Sequence, residues 1–189
     1  MNQAALRDAL VQEIIEQEWT FLQEGVKDGR LEQMQSQLAH PQAFKLARWM
    51  AHIIHSEATL QSYLKDIAHA RQKGRNLLVD KYALLENALP RLTENPRVAA
   101  IAQAESAWLE AAAALYPHAI KAVDAELFKQ HLACELETLS DQTLELYYAE
   151  VLDARDKGRN LVEVRHSVLC RRMGTSLRDK EAALAQAQA

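Results

Sequence analysis

The nine residues ARQKGRNLL at 70–78 return as ARDKGRNLV at 154–162, 84 positions further on. This constrains the fold more tightly than any other feature, because it repeats a helix-ending and a helix-starting signal at a fixed spacing. In each copy Gly follows a long amphipathic stretch and Asn precedes another apolar run. Gly74 and Gly158, just past a helix, can take the left-handed conformation without a Cβ penalty. Asn76 and Asn160 can cap the following helix by accepting from an amide that lacks an intrahelical partner. The pattern predicts one structural turn used twice, with no ligand required.

The similarity extends outward. Aligning Ser56–Leu78 with Ser140–Val162 gives 11 identities in 23 positions. Phe44-Lys45 returns as Phe128-Lys129 at the same offset, and Glu16…Trp19 as Glu105…Trp108 at an offset of 89. The spacing predicts an internal duplication, with repeat one near 13–86 and repeat two near 102–170, inside a single domain spanning 1–174. Two copies are too few for a solenoid, so the expectation is an all-α bundle of two pseudo-twofold-related halves sharing one core. The remaining 175–189 stretch is helix-prone with almost nothing to bury and is expected to fray.

With only 5 Gly and 4 Pro, and no stretch of alternating apolar and polar residues, the chain favours helix throughout. Leu6, Leu10, Ile14, Ile15, Phe21 and Leu22 keep helical spacing up to a stop at Gly29. Pro41 precedes a helix over 42–55, Ser56 and Ser140 read as N-caps, Pro96 opens a helix and Pro117 ends it. No apolar run approaches the roughly 20 residues needed to span a bilayer. The first residues have no basic and apolar leader pattern, and Cys134 and Cys170 lack metal-ligand spacing; together these suggest a cytoplasmic protein with free thiols. A net charge of −4 argues against general nucleic-acid binding. From Arg155 to Lys180, however, eight Arg/Lys face three Asp/Glu, an excess that suits an anionic partner as well as solvated helix faces.

Candidate functional residues come from the places where the repeats disagree. Arg30, Gln35, Arg48, Trp49, His52 and His55 lie in repeat one without equivalents in repeat two. His52 and His55 are three apart on one helix, a spacing that can present two imidazoles to a metal, and their counterparts are Leu136 and Leu139. Arg75 and Arg159, beside the repeated turn, suit either a bond to nearby carbonyls or carboxylates such as Glu16 and Glu105, or an anion. No phosphate-binding loop, zinc-protease or nucleophile-elbow motif is present, so no cofactor is evident. The expectation is a binding or accessory module with a groove between the halves, taking a small molecule or a protein. The alternatives are an enzyme built on Arg48, His52 and His55, metal-assisted, and a homo-oligomeric structural protein.

The order Glu-x-x-Trp, Gly-Arg, Gln, Phe, Arg, Tyr-Leu and KGRNLL…KYALLE resembles a prokaryotic family of uncharacterised domains, over about Leu10 to Gly174. The most specific part is the Gly-Arg-Asn-Leu turn followed by Lys81-Tyr82-Ala83. Arg30, Gln35, Phe44 and Arg48 match that family's pattern, while Met34 stands where it has a cysteine. The resemblance implies the helical fold and a prokaryotic, cytoplasmic setting, and carries no established activity.

Overall fold

The computed structural model describes residues 3–121 and 124–187, which contain ten α-helices and no strand. These are α1 (Gln3–Lys27), α2 (Gln35–Leu38), α3 (Pro41–His52), α4 (Glu57–Gln72), α5 (Leu77–Leu85), α6 (Arg97–Leu115), α7 (Ala125–Leu136), α8 (Asp141–Asp156), α9 (Leu161–Arg172) and α10 (Leu177–Ala187), with a single 3₁₀ turn at Glu32–Met34.

The repeated turn has the same geometry at both places. Gly74 (φ +65°) and Gly158 (φ +60°) are left-handed, which lets the amides of Arg75 and Arg159 reach back to the carbonyls of Ala70 and Ala154, both at 2.8 Å. Asn76 Oδ1 then accepts from Leu78 N and Val79 N at 3.1 Å, and Asn160 Oδ1 from Glu163 N at 3.1 Å. Each Asn also donates across the fold at 2.7 Å, Asn76 to Phe21 O and Asn160 to Trp108 O. One side chain thus starts a helix and pins it to a long neighbour.

Those long neighbours, α1 and α6, organise the packing. Helix α1 contacts α3, α4 and α5, and α6 contacts α7, α8 and α9. One apolar cluster gathers Val11, Ile14, Ile15, Leu60 and Ile67; the other gathers Ile101, Ala102, Leu144 and Val151. Ile54 and Leu139 pack against both clusters and join them into one core. Two further contacts cross between the groups, α3 with α9 and α5 with α7.

The central seam is α4 against α8. Thr59 meets Glu150 and Thr143 meets Asp66, so the two helices run antiparallel. Each caps the other. Glu150 accepts from Ser56 N (2.8 Å) and Thr59 Oγ1 (2.6 Å) at the start of α4; Asp66 accepts from Ser140 N (3.1 Å) and Thr143 Oγ1 (2.6 Å) at the start of α8. A carboxylate at a helix N-terminus satisfies free amides and opposes the positive end of the dipole. In the stretch expected to fray, residues 177–187 form a helix with two anchors. Leu177 is buried with Leu109 and Tyr116, and Glu181 accepts from the amides of His118 and Ala119.

Candidate functional site

Helix α1 presents a carboxylate within its apolar stripe: Ile14, Ile15, Glu18, Phe21 and Leu22 share one buried face. Glu18 is 5 % exposed, and burying a carboxylate this deeply requires compensation. Helix α3 supplies it. Arg48 grips Glu18 through Nε (2.8 Å) and Nη2 (2.6 Å), and His52, one turn on, places Nε2 at 3.1 Å. Tyr63 of α4 donates its hydroxyl at 2.8 Å. Arg48 Nη2 also reaches Glu135 of α7 at 2.7 Å, and Lys81 of α5 closes the chain with a 2.6 Å bond to the same carboxylate. Five helices therefore contribute to one network of two carboxylates and two cations.

The electrostatics follow from that pairing. Burial works to raise the pKa of Glu18, but the Arg48 guanidinium and His52 overcome it and hold the carboxyl at about 2. Glu135 is likewise held well below the usual range, burial being outweighed by Arg48 and Lys81. Burial lowers the pKa of His52 despite the adjacent Glu18, which favours the neutral imidazole. Facing an ionised carboxylate, its Nε2 must carry the proton and donate. Tyr63 is raised well above its ordinary value by burial and by Glu18, so its hydroxyl stays protonated.

A second cluster lies on the α6 side. Glu105 is fully buried, and Arg165 of α9 clasps it with two bonds, Nη1–Oε2 at 2.5 Å and Nη2–Oε1 at 2.7 Å. Tyr147 of α8 donates to it at 2.8 Å. Burial works to raise the Glu105 pKa, but Arg165 and Tyr147 hold it below normal. Between the clusters stands His55, whose Nδ1 lies 2.6 Å from Glu150 and whose ring meets Tyr147 edge-on with centroids 4.4 Å apart. Glu150 sits at about 2: burial works to raise it, and His55, Thr59 and the Ser56 amide outweigh that.

The two clusters face a common cavity of about 360 Å³. Arg48, His52, His55, Tyr63, Lys81 and Glu135 line one side, Glu105, Tyr147 and Arg165 the other, and Met50, Leu60, Phe128, Leu132, Leu136 and Leu139 are among its apolar walls. Such a cavity, mostly apolar with a few convergent polar groups, has the composition of a small-ligand pocket.

Of the residues singled out from sequence, the structure brings Arg48, His52 and His55 to this cavity. Trp49, on the same helix, lines a separate open groove with His55. Arg30 is an exposed side chain paired with Asp28 at 2.8 Å, and Gln35 is exposed at the start of α2. Arg75 pairs with Asp80 at 2.8 Å and Arg159 with Asp153 at 2.6 Å, rather than with Glu16 or Glu105. Met34 packs beside Leu22, Leu31 and Phe44. His52 and His55 turn to different carboxylates, Glu18 and Glu150. Among the described residues no group of three or more His, Cys, Asp or Glu is placed to hold a metal ion.

Sequence reasoning missed Glu18, Glu135, Lys81 and Arg165. For the two carboxylates a signal existed: each occupies an apolar position of its helix, Glu18 between Ile15 and Phe21, Glu135 beside Leu132 and Leu136. Glu16, selected instead through its resemblance to Glu105, bonds Lys45 at 2.7 Å on the surface. Among the described residues no helix is long and apolar enough to cross a membrane. Searches of curated proteins and of solved structures return no match. The family model described as "Protein of unknown function (DUF4125)" matches residues 8–182, and the chain belongs to that family.

Proposed function

We propose that the chain is a binding protein for a small amphipathic molecule, seated in the cavity between the α1-centred and α6-centred helices. The observation that carries this reading is that five charged side chains, Arg48, Lys81, Glu135, Glu105 and Arg165, line a cavity instead of a filled core, with the buried Glu18 paired to Arg48 behind them. Glu18 and Glu105 are buried and the other four part-buried. Buried ion pairs are poor stabilisers compared with apolar packing, so stability alone gives no reason to keep so many together. Perturbed titrating groups converging on a pocket point to a functional site. Arg165 Nε is in addition buried without a hydrogen-bond partner, a donor beside the cavity with nothing to donate to. A ligand with an apolar body and a hydrogen-bond-accepting or anionic end suits these walls.

The site is asymmetric in a way that fits an internal duplication. The equivalent Asn and Tyr bonds support this: Asn76 and Asn160 reach Phe21 and Trp108, while Tyr63 and Tyr147 reach Glu18 and Glu105. In that reading Glu105 answers to Glu18, two residues from the Glu16 that sequence alignment selects. Arg48, His52 and His55 answer to Leu132, Leu136 and Leu139, so at these three positions the first half is polar and the second apolar.

The test uses 8-anilinonaphthalene-1-sulfonate, an apolar fluorophore with one anionic end. The account expects saturable binding with fluorescence enhancement, abolished by Ala51→Phe, which fills the cavity, at an unchanged thermal midpoint. Enhancement that survives Ala51→Phe contradicts it.

A further inference from the structure

Arg7 of α1 and Arg171 and Arg172 of α9 line one open groove of about 1150 Å³, on the far side of His55 from the cavity. None of the three makes a hydrogen bond or ion pair through its guanidinium among the described residues, and Arg7 Nε is buried without a partner. Arg172 lies over the Trp49 ring at 4.8 Å, so a cation and an aromatic face are already stacked there. Three carboxylates also line the groove. Two are engaged elsewhere: Glu150 by His55, Ser56 and Thr59, and Asp153 by Lys157 and Arg159. Asp8 alone has no partner among the described residues, which leaves three unpaired cations against one unpaired anion there. The end of α9 favours arginine through its helix dipole, but Arg7 is in the second turn of α1, near the end where a cation gains nothing from it. Ile53, Ile54, Val164 and Val168 supply apolar floor beside the Trp49 ring.

We infer that this groove is a second ligand site, for a small phosphate-bearing organic molecule: the phosphates lie against Arg7, Arg171 and Arg172, and a planar part packs on the apolar floor beside Trp49. Guanidinium groups match phosphate in bidentate geometry, and the groove leaves them free to do so. The overall charge of −4 disfavours a long polyanion on this surface, which selects a small ligand over a nucleic acid.

The test is a fluorescence titration of the full chain with trinitrophenyl-ATP. Saturable binding of one probe per chain is expected, displaced by inorganic pyrophosphate but not by adenosine. R171Q/R172Q should weaken it by roughly tenfold or more, whereas the charge-matched surface variant K27Q/K65Q should leave it unchanged. R7Q should weaken it similarly; should that variant fail to fold, the exposed Arg171 and Arg172 pair decides the question. Absence of saturable binding, displacement by adenosine alone, or equal affinity in R171Q/R172Q overturns the assignment. Because Ala51→Phe fills the cavity and leaves the groove open, probe binding retained in that variant separates the two sites.

Discussion

Arg48 pairs with both Glu18 and Glu135, so replacing it with methionine leaves the buried Glu18 without a cation and Glu135 with Lys81 alone. Removing one partner of a buried pair costs about 3–5 kcal/mol, and urea denaturation of Arg48→Met should show a loss of that order, partly recovered in Arg48→Met/Glu18→Gln. The same groups set the acid limit of stability. Glu18 and Glu150 sit at about 2 when folded, against an ordinary value of 4.5, so between these values the unfolded chain binds more protons. Their contribution is complete above 4.5 and is lost as pH falls towards 2. His52, lowered from 6.5, acts with the same sign from a higher pH: its contribution is present above 6.5 and declines below it. Thermal midpoints should therefore begin to fall below that value and fall faster in the carboxylate range, with His52→Gln reducing the first phase, to which burial of His131 and His166 adds with the same sign. A midpoint flat from neutrality into the carboxylate range would contradict the buried network. Arg48 and His52 stood out in the sequence because leucines occupy the aligned positions, and the structure places both against Glu18. Glu18 was legible in principle, at an apolar position of its helix, and was passed over because comparison of the repeats drew attention to Glu16 instead.

At the scale of elements, helix starts and stops were the most legible features, since each depends on a residue or two in local sequence. Ser56, Ser140, Asn76, Asn160, Gly74 and Gly158 cap or close their helices by chemistry that spacing alone predicts. Gly74→Ala places a Cβ at positive φ and should cost about 1–2 kcal/mol. Asn76→Ala should cost at least as much, since it removes a cap and the bond to Phe21 O together. The exchange of caps between α4 and α8 was not legible, because Asp66 and Glu150 each serve a helix other than their own. Asp66→Asn and Glu150→Gln should each lower stability by about 1 kcal/mol through loss of charge at a helix N-terminus. Chemical denaturation of both variants checks this; no change in either would remove the reciprocal caps from the account. The helix at 177–187 shows the limit of composition, since its anchors, Leu177 and Glu181, are single residues reaching distant partners.

At the scale of the molecule, the repeated turn predicted helical units well and their assembly only in outline. Sequence offsets cannot show that α3 packs on α9 while α5 packs on α7, nor that a cavity remains where α3, α4, α7 and α8 meet. The central claim is that a ligand occupies this cavity. Methyl-resolved NMR of the protein, titrated with small aromatic carboxylates, tests it most directly: Leu60, Leu132, Leu136 and Leu139 should shift together and saturate with one ligand per chain, and Ala51→Phe should abolish the response. Shifts confined to other methyl groups, or a response unchanged in Ala51→Phe, would contradict it.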